Sequence, residues 1–307
     1  MQRTMATINL SKMLKGVGFV FFCLILNISS KSQSDSTLLS MLDDEPEKKE
    51  YEQATFKATR IINSQSIENV YKGVLDFRIA HRFGALNGGG YTLFGLDQAS
   101  MKINLDYGLT KRLAVGFGRS NVEKTYDVFM KLKILRQQTT NRMPISLSIV
   151  SGTSMNSLKW TDPNRNNYFT SRLTFFHQIL IARKFNKSFS LQMMPSLVHY
   201  NMIVNNNFES NDHYFLGVGF RQKLTKRMSV NFEYTYSFNK PQNQTLYNSM
   251  SVGIDLETGG HVFQLQFTNS NKMHERGFLA ETSESWLKGG IHFGFNISRV
   301  FTIKSYN

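Results

Sequence analysis

From Gly73 to Phe301 apolar side chains recur at every second position, in stretch after stretch. Leu75, Phe77, Ile79 and Phe83 alternate with Asp76, Arg78, Ala80 and Arg82, and Met101, Ile103, Leu105 and Tyr107 with Lys102, Asn104 and Asp106. Leu113, Val115 and Phe117 alternate with Ala114, Gly116 and Gly118, and Val128, Met130, Leu132 and Ile134 with Phe129, Lys131 and Lys133. A β-strand turns successive side chains to opposite faces, so this period marks strands with one apolar and one polar face. The pattern continues through "PISLSIVSG", "SRLTFFHQILIARKF", "FSLQMMPSLVHY", "HYFLGVGFRQKL", "MSVNFEYTYSF", "NSMSVGIDLE", "HVFQLQFTN" and "GGIHFGFNISRVF". Twelve strands follow, at roughly 19 residues per strand and connection, which suits about ten residues crossing a bilayer plus a turn. No helical stripe of similar length competes, and the chain reads as all-β.

The connections carry a second signal. "GALNGGGYTLFGLDQ", "SLKWTDPNRNNYF", "IVNNNFESND" and "SNKMHERGFLAETSESWLKG" are long, whereas "GLTKR", "NKS", "LTKR" and "ETGG" are short. Alternating long and short links put loops at one end of a barrel and tight turns at the other, as expected of an outer-membrane barrel with short periplasmic turns. The run Leu-Thr-Lys-Arg occurs twice, at Leu109–Arg112 and Leu224–Arg227, each time in a short link. It reads as hairpin architecture, with Lys111, Arg112, Lys226 and Arg227 in water at the turn end. An even strand count returns the C-terminus to the end at which the barrel starts, so both termini are expected to be periplasmic.

Twelve strands enclose more space than the eight that side chains just fill, so charges fit inside while the apolar set faces lipid. The candidate lumen-lining residues are Arg78, Arg82, Lys102, Lys131, Lys133, Arg172, Arg221 and Lys223, set against Asp76, Asp106, Glu233 and Asp255. Aromatics near strand ends (Tyr107, Tyr168, Phe185, Phe189, Tyr234, Tyr236, Phe293, Phe301) suit interfacial girdles. Two residues fit less well. His177 falls on the apolar face and Pro195 interrupts a strand, which points to a slipped register or a bulge.

Ahead of the barrel, Arg3, Lys12 and Lys15 precede the apolar run Val17–Ile28 and the small polar "SSKSQS", the pattern of a cleaved signal peptide over residues 1–32. Residues 33–72 read as a periplasmic leader or a lumenal plug, and 73–307 as the barrel. Within the leader the acidic run Asp43, Asp44, Glu45, Glu47 and Glu50 is either a solvated tail or a plug that enters a basic lumen. "ATFKATRII" is a strand or a segment entering a cavity, and "NSQSIENVYKG" a loop. Cys23, the one cysteine, lies inside the apolar run, so the mature chain has neither disulfide nor thiolate site.

The stretches "YEQATFKATRIINSQSIENVYKGVLDFRIAHRFGAL", "YGLTKRLAVGFGRS", "KTYDVFMKLKILRQ", "LIARKFNKSFSLQMMPSLVH", "IDLETGGHVFQLQFTNS" and "FGFNISRVF" resemble a Bacteroidota family of outer-membrane β-barrels that is catalogued as a domain of unknown function. The resemblance runs from about Tyr51 to Phe301. It implies the fold and the outer-membrane location and carries over no catalytic residue.

For chemistry the sequence offers little. The seven histidines show no metal-ligand spacing, so neither metal nor other cofactor is expected. A Ser–His hydrolase built on His261, His292 and Ser298 lacks a marked base, and the chain reads as a non-enzyme. "NGGGY" lacks the Lys-Ser/Thr of a phosphate loop. Trp160, Arg165 and Tyr168 form a candidate loop surface for glycans or partners. The formal charge is +14, from 36 basic and 22 acidic residues, but the basic residues are spread through strands, which argues against nucleic acid. The expected partners are outer-membrane lipid and a small, anionic solute. The leading expectation is a passive channel with a basic lumen. The alternative is a non-conducting structural barrel that docks a partner through its external loops or its leader.

Overall fold

Each alternating stretch pairs with the next in sequence, and the last returns to the first. A computed structural model describes residues 49–160, 162–164, 166–202, 210–239 and 245–305. The signal-peptide region, the acidic residues from Asp43 to Glu47, and Arg165 lie outside the described residues. The strands are β1 (Val74–Ala85), β2 (Ala99–Gly108), β3 (Leu113–Ser120), β4 (Tyr126–Leu135), β5 (Ser146–Met155) and β6 (Leu173–Lys184). They continue as β7 (Phe189–Tyr200), β8 (Asp212–Lys223), β9 (Met228–Ser237), β10 (Ser249–Thr258), β11 (His261–Thr268) and β12 (His292–Thr302). All neighbours are antiparallel, and β1 pairs with β12 to close a twelve-stranded barrel.

The burial is inside-out relative to a water-soluble barrel. Val128 and Met130 on β4 are 47% and 57% exposed, and Met101, Phe117, Leu132, Ile149 and Ile179 also face outward. Asp76, Arg78, Arg82, Lys102, Asp106, Asp127, Lys131, Glu233 and Asp255 are buried inside. A continuous apolar belt of this kind is stable only against another apolar phase, and here that phase is lipid. Aromatic pairs gather toward both ends of the wall: Phe83, Phe293 and Phe267 near the loop end, and Phe185, Phe189 and Phe220 near the turn end.

Both misfits leave the register intact. His177 does face outward, and it pairs across the ladder with Ser151, whose hydroxyl meets Nδ1 at 3.0 Å. Pro195, which has no N–H to give, sits where β6 and β7 lack bridges between Gln178–Ser196 and Ile181–Met193, and the pairing resumes in phase.

The repeated turn has a shared chemistry. In the β2–β3 turn the Thr110 hydroxyl accepts the N–H of Arg112 at 3.1 Å and of Leu113 at 2.9 Å. In the β8–β9 turn Thr225 accepts those of Arg227 at 3.2 Å and Met228 at 3.0 Å. Asn186 does the same in the β6–β7 turn with Ser188 and Phe189, both at 2.8 Å. A short side-chain acceptor at the second position therefore caps each hairpin, and the carbonyl of Arg112, Ser188 or Arg227 accepts an N–H from the adjoining strand.

The long–short rule holds with one reversal. Links 109–112, 185–188, 224–227 and 259–260 at the turn end are tight, whereas 86–98, 156–172, 201–211, 238–248 and 269–291 at the other end are long. The link 136–145 at the turn end, however, is longer than 121–125 at the loop end. The polypeptide explains this: the longer link pairs with the entering chain, through a bridge between Tyr51 and Gln138 and the Glu52 N–H bonded to the Gln137 carbonyl at 2.9 Å.

Candidate functional site

The barrel interior is occupied by the protein itself. From the turn end, residues 55–70 enter the lumen; Thr55, Phe56, Ala58–Ile67 and Val70 are buried. The segment forms a hairpin. Ser66 N–H donates to the Thr59 carbonyl at 3.0 Å, Ile61 N–H to the Ser64 carbonyl at 2.9 Å, and Arg60 bridges Gln65. Asn63 and Ser64 provide the turn chemistry at its tip. The polar run that sequence alone reads as a loop is indeed a loop, but one surrounded by wall.

Wall side chains hold the hairpin by its backbone. The Glu233 carboxylate on β9 accepts the N–H groups of Ile62, Asn63 and Ser64 at 3.3, 2.9 and 3.0 Å. Gln264 and Asn296 donate to the carbonyls of Ile61 and Ile62 at 2.9 and 3.1 Å. Arg82 donates to Asn63 Oδ1 at 2.9 Å, and Lys131 to the Glu68 carbonyl at 2.6 Å. Thr59 sits among Asp76, Arg78 and Asp106, with its hydroxyl 3.1 Å from each carboxylate and 3.0 Å from the Arg78 guanidinium. Arg221 reaches the Ala54 carbonyl at 2.9 Å.

Strands β4–β8 carry, among polar neighbours, an apolar patch on the inner face. Phe129, Val150, Phe176, Leu180, Met194, Val198 and Phe215 make it up and form one cluster with Phe56, Ile61, Ile62 and Ile67 of the hairpin. Gly116 and Gly152 make room, since a Cβ on Gly116 would meet the Phe129 ring at 2.2 Å and one on Gly152 the Phe176 ring at 2.4 Å.

From the loop end, the 269–291 link folds inward and carries the helix α1 (Glu275–Ala280), whose Phe278 and Leu279 join the same cluster. The two inserts meet at a buried ion pair, Arg60 with Glu275 at 2.5 Å, which Gln65 supports from 3.2 Å. The cavity left beside this junction, lined by Arg60, Asn63, Arg78, Arg82 and Met273 among others, measures only about 10 Å³, too little for a solute.

At the loop-end rim, Glu123 in the β3–β4 turn clasps the inward link. Its carboxylate takes Lys272 at 2.6 Å and pairs with Arg276, while Glu281 takes Lys272 at 2.7 Å and Arg276 at 3.1 Å. Burial pushes the Glu281 carboxyl up, but Arg276 and Lys272 outweigh it and draw its pKa down to about 2. Burial also lowers the pKa of His274 beside them to about 4, so this imidazole is neutral in ordinary buffers.

Of the lining residues expected from sequence, Arg78, Arg82, Lys102, Lys131 and Arg221 lie in the interior. Lys133 is half-buried near the end of β4, and Lys223 is half-buried as the last residue of β8. Arg172 is a correction. It has lumen parity but lies in the 3₁₀ turn ahead of β6, stacked 3.9 Å over Trp160 and bonded to the Asn156 carbonyl at 2.8 Å. Sequence reading missed Asp127, which pairs with Lys102 at 2.6 Å, and Glu275. The inward positions of the wall thus set five buried cations (Arg78, Arg82, Lys102, Lys131, Arg221) against five carboxylates (Asp76, Asp106, Asp127, Glu233, Asp255), while Arg183, also buried, has outward parity on β6. The hydrolase candidates do not meet: His261 and Ser298 have opposite parity, and His292, bonded to the Phe83 carbonyl at 2.9 Å, is remote from Ser298 along β12.

Three solved channel structures are similar to this chain. The NanC porin is 7% identical, with 74% of this chain and 98% of that chain covered and a TM-score of 0.47. The KdgM porin in complex with disordered oligogalacturonate is 8% identical, with 76% and 99% covered and a TM-score of 0.45. The COG4313 outer membrane channel from Pseudomonas putida F1 is 12% identical, with 76% and 97% covered and a TM-score of 0.45. No curated protein matches. Residues 56–301, from the hairpin to the last strand, match the membrane-bound β-barrel domain DUF5777, and the chain belongs to that family.

Proposed function

We propose that the protein is an outer-membrane, porin-like channel for small solutes that is closed at rest, with residues 54–70 as the gate. The observation that carries this is how the hairpin is held. It adds no strand to the wall; side chains such as Glu233, Gln264, Asn296 and Lys131 grip its backbone. Each of these groups can exchange a hairpin partner for water, which leaves a polar conduit along β1, β2 and β9–β12, extended by Lys131 on β4. With the wall cations and carboxylates in balance, the reading asks for small solutes and makes no demand for anions. The barrel would stand with the Val74 and Thr302 end, and both termini, on the periplasmic side.

The apolar cluster around Phe56 and Ile67 favours a second reading, in which the hairpin never leaves and the barrel is a non-conducting docking platform. Planar-bilayer recording separates the two. The full chain should show no steady conductance, and a Δ54–70 variant, verified as a folded barrel by circular dichroism, should conduct continuously. A folded deletion variant that stays silent would refute the channel.

A further inference from the structure

The rim cluster holds a group that its ion pairs do not use. His274 is 0% exposed, and neither ring nitrogen has a hydrogen-bond partner among the described residues. A buried imidazole without partners forfeits the stabilisation that such groups normally find. One ligand atom each from His274, Glu123 and Glu281 lies within 4.8 Å of the others. Ligands of a four-coordinate Zn²⁺, with bonds of about 2.0–2.2 Å, stand about 3.3–3.5 Å apart, so modest side-chain rotation closes the gap. The three come from two pieces of chain far apart in sequence: the β3–β4 turn supplies Glu123 and the inward link the other two. This is why residue spacing gave no metal signal.

Two further features fit. Glu123 has φ of 53°, in the left-handed region that a non-glycine residue occupies at a cost, and this conformation belongs to the turn that presents its carboxylate to the link. Gly277 lets the link fold tightly, because a Cβ there would lie 2.4 Å from Lys272 Cβ and 2.9 Å from His274 Nε2.

The Lys272 ammonium bridges the two carboxylates, 2.6 Å from Glu123 and 2.7 Å from Glu281, where a cation is expected. Its side chain is 20% exposed, so it can swing into solvent. We propose that Glu123, His274 and Glu281 form a binding site for a divalent transition metal of the Zn²⁺ class, filled by displacing the Lys272 ammonium. One imidazole with two carboxylates suits Zn²⁺, Mn²⁺ or Fe²⁺ and not Ca²⁺, which takes oxygen ligands. Exchanging the ammonium for a dication adds one positive charge to a cluster of two carboxylates and Arg276. It also gives the imidazole its missing partner. A bound metal ties the inward link to the wall turn, and so fastens the loop-end stopper.

Zn²⁺ titration of the refolded full-length barrel in detergent, followed by calorimetry, tests this. Wild type should bind one Zn²⁺, and E123Q, on a surface turn where folding is least at risk, should bind at least tenfold more weakly. H274A should do the same. K272Q should bind at least tenfold more tightly, because the competing cation is gone. If Lys272 is only a structural clasp, K272Q cannot raise affinity. Equal binding by wild type, E123Q and K272Q, or none in wild type, would overturn the site.

Discussion

Replacing Glu275 by Ala should turn the closed barrel into one that flickers open. Glu275 is the residue of α1 that meets Arg60 of the hairpin inside the lumen. Removing one partner of a buried pair leaves the other charge uncompensated, at a cost of about 3–5 kcal/mol. Part of that cost vanishes whenever the hairpin leaves and Arg60 is hydrated, so the variant lowers the work of opening. In the wild type that work includes exposing Phe56, Ile61, Ile62 and Ile67; at roughly 1.5–3 kcal/mol each, burial contributes about 6–12 kcal/mol. This is an upper figure, since a displaced hairpin keeps some contacts. If all of the Arg60 cost vanished, a reduction of about 3–5 kcal/mol would raise the open fraction roughly 10²–10⁴-fold, and even half of it, at roughly 10-fold or more, brings openings within reach of single-channel records. A second reporter is maleimide labelling of Ser64→Cys in a Cys23→Ser background, since position 64 is reached only when the hairpin leaves. The double variant Arg60→Met with Glu275→Leu removes both charges and should close the barrel again. If folded E275A stays silent and position 64 stays protected as in wild type, the ion pair does not hold the inserts together.

Two further outcomes test the wall. Met130→Arg places a cation on the outward, 57%-exposed face of β4; it should lower barrel stability in vesicles by about 2–4 kcal/mol, read from the urea midpoint, and a change within about 0.5 kcal/mol would mean that the face meets water. Gly152→Ala drives a methyl to 2.4 Å from the Phe176 ring and 2.5 Å from the Val128 carbonyl, so overpacking of about 1–3 kcal/mol should lower the thermal midpoint. Phe176→Leu in the same chain should recover part of that loss, and no loss in Gly152→Ala would show that the interior has slack at this point.

Much of the wall was legible because parity is a covalent fact. Once Val128 and Met130 face out, Phe129 and Lys131 must face in, and no tertiary contact can change that without a bulge. Even His177 kept its parity against its chemistry by finding Ser151. Arg172 failed where parity stops applying, one residue ahead of β6. Asp127 was missed as a lone carboxylate at the start of β4, with nothing in the local sequence to pair it with Lys102 from another strand.

The contents of the lumen were illegible for a different reason. A polar inward position is satisfied equally well by water or by the chain's own amides, and the sequence of the wall looks the same in either case. "NSQS" looks exposed, since polar turns normally are, yet Asn63, Ser64, Gln65 and Ser66 are all buried, because the surface they meet is itself polar. Glu233 shows the consequence. Its inward placement follows from parity, but its hydrogen-bond partners include three backbone N–H groups of the hairpin. Each such bond replaces one to water and nets only about 0.5–1.5 kcal/mol, somewhat more for a charged acceptor. The polar half of the wall therefore positions the hairpin more than it retains it. Retention falls to the apolar cluster on β4–β8 and to Arg60–Glu275, so opening and closing turn on how those two terms compare with the hydration that the polar half offers in exchange.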